Sequence, residues 1–190
     1  MRALALGILL FSTICATAAP TLNVDCNQGQ SLNATLATLN KFSPGTVVFT
    51  GTCNEYVVVD GFENLTLTGM HGATIQQPST PPPSSPSFVL SVQESRSVTF
   101  SGFSVRSQPS VTSCIGIGGG STDTMLRNIS TDGSWGIFIY EASQVWIVGA
   151  SVNLAYGFAA ISAFDKSDVH IVGGSLHRPP NGGRPQRPRL

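Results

Sequence analysis

Charge is scarce in this 190-residue chain: Asp, Glu, Lys and Arg together make up 11% of it. What charge there is lies unevenly. Arg178, Arg184, Arg187 and Arg189 crowd the last thirteen positions, and Arg2 opens the chain. The body between them holds five basic against ten acidic residues, a net of −5. That argues against nucleic acid as a partner, because a phosphate backbone needs a cationic surface. It also disfavours direct binding of a polyanionic polysaccharide, unless a divalent cation bridges the two. Long apolar runs are scarce as well. The run Ala3 to Ile14 is too short for a permanent membrane span. With Arg2 before it and Ala16-Thr-Ala18 after it, it reads as a bacterial-style secretory leader over 1–19. The expectation is an exported protein, secreted or periplasmic, with no transmembrane segment once the leader is cleaved. Disorder is excluded by the 41% of apolar residues.

What the chain does have is one phrase said several times. The clearest copies are Val145-Trp-Ile-Val-Gly-Ala-Ser-Val152 and Val169-His-Ile-Val-Gly-Gly-Ser-Leu176. Fainter ones open at Leu65, Val98 and Thr124. Each joins two short alternating stretches through Gly or Asn. Measured at Gly69, Gly102, Asn128, Gly149 and Gly173, the intervals are 33, 26, 21 and 24 residues. A recurring unit of this length marks a stacked repeat architecture. Period-two alternation inside the unit argues strands. The Gly/Asn column has a backbone reason: those residues adopt positive φ cheaply, as a tight bend requires. A second set of apolar pairs keeps step: Val57/Val59, Leu90/Val92, Ile115/Ile117, Ile137/Ile139 and Ile161/Ala163. Each unit therefore holds three short strands, pairing with their equivalents one unit on, about 4.8 Å away.

From Val24 to Leu176 this pattern resembles the right-handed parallel β-helix of the pectate-lyase-like superfamily. The expected fold is all-β: a solenoid of about five coils over 20–176, with a short N-terminal capping helix. Leu32, Leu36 and Leu39 at i, i+4, i+7, behind Ser31 as N-cap, place that helix over 31–42. It would cover the first open end, as such a helix does in the family resembled. The stretch Pro44 to Gly51 looks like that family's turn into the first coil. Cys26 and Cys53 flank the helix, and in an exported protein the expectation is a disulfide pinning the cap to the first coil, with two free thiols the alternative. Cys114 is left over, placed outward on its strand by alternation. The run 78–87 (PSTPPPSSPS) is a polyproline-type loop leaving the solenoid at a turn. The segment 177–190 is a basic, Pro/Arg-rich tail without alternation, read as a truncated or frame-shifted end above an exposed last rung.

Two groups of residues are candidates for chemistry. Gly61, Glu94, Gly120, Glu141 and Asp165 form a column four residues before each phrase. Glu141 and Asp165 fall on adjacent coils, with Asp168 and Lys166 in the same turn. Such carboxylates either hold a cation such as Ca²⁺, work as acid and base, or face water. Around them the outward positions are aromatic: Phe138, Tyr140 and Phe164, with Trp146 and His170 in one column of the next sheet. Exposed rings in a row make a platform for sugar rings, unless a loop covers them. The resemblance implies lyases with Ca²⁺ on several acids and an Arg or Lys base, for which Lys166 lies nearest. It also implies hydrolase signatures (Asn-Thr-Asp, Asp-Asp, Gly-His-Gly, Arg-Ile-Lys) that this chain lacks. The expectation is a secreted β-helix binding carbohydrate or a cell-surface component without catalysis. The alternatives are a Ca²⁺-assisted polysaccharide lyase and an adhesin-like structural solenoid.

Overall fold

The computed structural model describes residues 19–82, 84, 86–108, 112–154 and 159–177. The expected leader up to residue 18 and the tail beyond His177 lie outside the described residues. Among the described residues eighteen strands form three parallel sheets. The first holds β1 (Thr21–Asp25), β2 (Gly45–Thr50), β5 (Leu65–Gly69), β8 (Thr99–Ser101), β11 (Thr124–Arg127), β14 (Gln144–Val148) and β17 (Asp168–Val172). The second holds β3 (Thr52–Asn54), β6 (Thr74–Gln76), β9 (Ser104–Arg106), β12 (Ser130–Gly133), β15 (Ser151–Leu154) and β18 (Ser175–His177). The third holds β4 (Val57–Asp60), β7 (Phe88–Gln93), β10 (Ser113–Gly118), β13 (Ile137–Ile139) and β16 (Ile161–Ala163). The chain visits the sheets in rotation, so each strand pairs with its equivalent one coil away.

The columns read from sequence are vertical neighbours. Ile137 pairs with Ile115 on one side and Ile161 on the other. Ile147 lies between Leu126 and Ile171 in the first sheet, and Val152 between Thr131 and Leu176 in the second. These inward columns fuse into one core. Each fully buried Leu, Ile or Phe in it contributes roughly 1.5–3 kcal/mol. The bend between first and second sheets falls on Gly51, Gly102, Asn128, Gly149 and Gly173, all with positive φ.

Four details differ from the sequence reading. The solenoid makes about six turns rather than five, because β2, β3 and β4 already form a coil ahead of the repeated phrase. Gly69 is not a bend residue. It is a buried strand position where a Cβ would strike Phe103, and the bend of its coil moves to His71 and Gly72. The helix is shorter than 31–42: α1 spans Leu32–Leu36. The Thr35 and Thr38 hydroxyls donate to the Ser31 and Thr35 carbonyls, and the Thr38 and Leu39 amides bond three residues back, tightening the chain into turns. Cys114 is not outward-facing but fully buried, with Sγ 3.6 Å from both Ser107 Oγ and the Asp132 carbonyl. Burial pushes its thiol pKa up, with the Ser107 hydrogen bond acting in the opposite direction.

The start of the solenoid is firmly covered. Leu32 and Leu36 of α1 join the core, and α1 packs on β1, β2 and β4. The carboxylate of Glu55 accepts from the Ser31 hydroxyl and from the Leu32 and Asn33 amides, satisfying helix N-terminal donors. Ser31 itself caps Ala34 N–H. Cys26 and Cys53 form a disulfide, Cα–Cα 5.0 Å, joining the single 3₁₀ turn Cys26–Gln28 to β3.

Candidate functional site

The outer face of the third sheet carries a cluster of aromatic side chains, with Phe164 exposed and Phe88, Trp135, Phe138 and Tyr140 half-buried. Its cause is a bald coil. In β10 the outward positions are Gly116 and Gly118. A Cβ on Gly116 would strike the Phe88 ring, and one on Gly118 the Tyr140 ring. Phe88 arrives where the proline-rich loop re-enters the sheet, and Tyr140 reaches down from the end of β13. The two rings meet over the glycines, stacked at 5.8 Å and 19°. Glycine inside a strand commonly marks such a close approach. Tyr140 Oη accepts a hydrogen bond from Gln93 Nε2 at 2.7 Å, which fixes the ring across coil three.

The cluster continues towards the later coils. Phe138 sits beside Gly116 in register, and its centroid is 6.3 Å from Phe88. Phe164, from the coil above, stacks on Phe138 at 6.0 Å and 25° and is 51% exposed. Trp135 meets Phe138 edge-on at 5.7 Å. So Phe138, Tyr140 and Phe164 come together as one surface. Phe88 and Trp135 complete it, and the sequence reading missed both. The available signal was the pair of strand glycines in β10, which call for covering rings from neighbouring coils.

Trp146 and His170 stand elsewhere. They pair in register on the first sheet and stack at 4.1 Å and 13°. His170 Nε2 lies 3.2 Å from Asp168 Oδ2. This pair stands on the first sheet and not on the one that carries the ring cluster.

The acidic column is also a backbone column. Gly61, Glu94, Gly120, Glu141 and Asp165 all have positive φ, so they form the bend between third and first sheets. Its turns stack directly: Gly120 N–H donates to the Glu141 carbonyl and Ala142 N–H to the Asp165 carbonyl, both at 2.9 Å. Glu141 Oε2 also accepts the Gly119 amide at 2.7 Å. Lys166 follows in the same left-handed region and forms no ion pair among the described residues. Glu141, Asp165 and Asp168 do not bring three ligand atoms within 4.8 Å of one another. Among the described residues Cys26, Cys53 and Glu55 do. There the sulfurs are bonded to each other and Glu55 is engaged with α1, so no thiolate is offered to a metal.

No family model matches this sequence, and no curated protein matches it. Among solved structures the chain is similar to a mutant pectin methylesterase in complex with a hexasaccharide. The likeness has a TM-score of 0.60 at 11% identity, over 88% of this chain and 70% of that one. At that identity what is shared is the path of the backbone. Three parallel sheets, columns in register from coil to coil and this shared path make the chain a right-handed parallel β-helix protein with the pectate-lyase-like fold.

Proposed function

We propose that this protein binds carbohydrate on the outer face of the third sheet, without catalysis of its own. The observation that supports this is the ring surface of Phe88, Trp135, Phe138, Tyr140 and Phe164 seated over Gly116 and Gly118. Stacked rings with polar neighbours at Gln93, Ser91 and Tyr140 Oη suit sugars, which present apolar faces and hydroxyl edges. The solved neighbour was itself captured with a hexasaccharide, on the same type of scaffold. The lyase alternative would place Ca²⁺ on Glu141, Asp165 and Asp168 with Lys166 as base. The spread of those carboxylates gives it less support. Export is part of the proposal: the Cys26–Cys53 disulfide suits an oxidising compartment. No described helix is long and apolar enough to cross a membrane.

The chain has two tryptophans. In a Trp146→Phe background, Trp135 alone reports on the ring surface. Titration with a panel of neutral and acidic hexasaccharides should give a saturable fluorescence change for at least one. Phe138→Ala with Phe164→Ala should weaken that binding at least ~10-fold, about 1.4 kcal/mol. The proposal fails if no sugar in the panel binds, or if the double variant binds as well as its parent.

A further inference from the structure

Resting on the carbohydrate-binding reading above, we infer that the ligand is a neutral glycan rather than an acidic one such as pectate. Charge along the whole rim of the ring surface points that way. Strands β4, β7, β10, β13 and β16 contain no Lys or Arg. Their outward columns end in Asp60, and the bend that follows them carries Glu94, Glu141 and Asp165.

The basic residues close to this edge are already committed or outnumbered. Lys41 Nζ is 3.1 Å from Asp60 Oδ2, and Arg96 Nη2 is 3.1 Å from Glu63 Oε1. Arg106 lies in β9 of the second sheet and Arg127 in β11 of the first. Lys166 follows Asp165 in this bend, where Glu94 and Glu141 occupy the equivalent places on other coils, so the acids outnumber it. A chain of uronates would meet like charge along this rim, with few guanidinium or ammonium partners to offset its desolvation. A neutral pyranose chain meets no such penalty. It can stack its apolar faces on Phe138, Phe164 and Tyr140 while its hydroxyls reach Gln93 and Ser91.

The test uses Trp135 fluorescence in the Trp146→Phe background. The probes are neutral hexasaccharides (gluco-, manno- and xylo-configured) and hexagalacturonate, each with chelator and with Ca²⁺. We expect a neutral probe to bind at least ~10-fold more tightly than hexagalacturonate in both conditions, with little dependence on salt. Glu94→Lys with Asp165→Lys should raise hexagalacturonate affinity at least ~10-fold and leave neutral binding unchanged. Hexagalacturonate binding as tightly as the neutral probes, with or without Ca²⁺, overturns the inference but leaves the carbohydrate-binding proposal standing. An unresponsive double-lysine variant overturns the electrostatic argument in the same way. Absence of binding by every probe removes both.

Discussion

The two ends of the solenoid are built differently. At the start, Leu32 of α1 is 0% exposed, a disulfide fastens the first turn, and Glu55 closes the helix onto coil one. At the other described end the inward columns run out into the open. Ile171 is 55% exposed and Leu176 66%, and a cavity of about 230 Å³ opens between them, Ile147 and Ile161. The same aliphatic residue type therefore occupies one column in two environments. Ile147 has a coil on either face, whereas Ile171 is covered on one. In a stacked repeat each coil is stabilised by its nearest neighbours, so stability should be graded along the axis.

Three experiments test that gradient. The largest contrast lies within the column. Ile147→Ala should cost about 2–5 kcal/mol in urea unfolding, the usual range for a buried aliphatic truncation. Ile171→Ala should cost about 0.5 kcal/mol, as at a surface site. Equal losses would mean that the open end is covered in solution. Next, replacing both Cys26 and Cys53 by Ser should cost about 3 kcal/mol through the freed chain entropy of the closed loop. Amide-exchange protection should fall in β2 and β3 and hold in β13 to β15. A uniform fall along the solenoid would show that the coils unfold as one unit and not from their ends. The smallest effect is Glu55→Ala, about 1–2 kcal/mol, from stranding the Leu32 and Asn33 amides and the Ser31 hydroxyl. Exchange should rise in α1 and β1 while 161–177 stay unchanged. An unaltered α1 would assign the capping to Ser31 alone.

Repetition made the fold legible in the sequence. Gly149 and Gly173, or Ile137 and Ile161, stand at matched offsets because a solenoid places the same demand on each coil. Single-use features were harder to read. Gly69 carries a bend-like signature but answers to the Phe103 side chain above it. Cys114 alternates as if outward, and only the course of the chain through Ser107 and Gly133 buries it. The candidate site divides the same way. Phe138, Tyr140 and Phe164 follow from register. Phe88 enters from a loop whose path no periodicity describes, and Trp135 precedes its strand. The acids stand in a column of bends, where φ near +50° is a demand of the backbone that a sequence pattern does not separate from chemistry.

Solenoids as a class gain and lose coils readily, since any rung can stack on any other. This one is not free to do so everywhere. Phe88 comes from the rung before and Tyr140 from the rung after, and they touch because the rung between them offers bare backbone. Deleting that rung, or duplicating it, would leave each ring facing an occupied or vacant berth. Around β10 the copy number is therefore locked by the outside of the molecule, while the packed interior, where one aliphatic rung stacks on the next, imposes no such count.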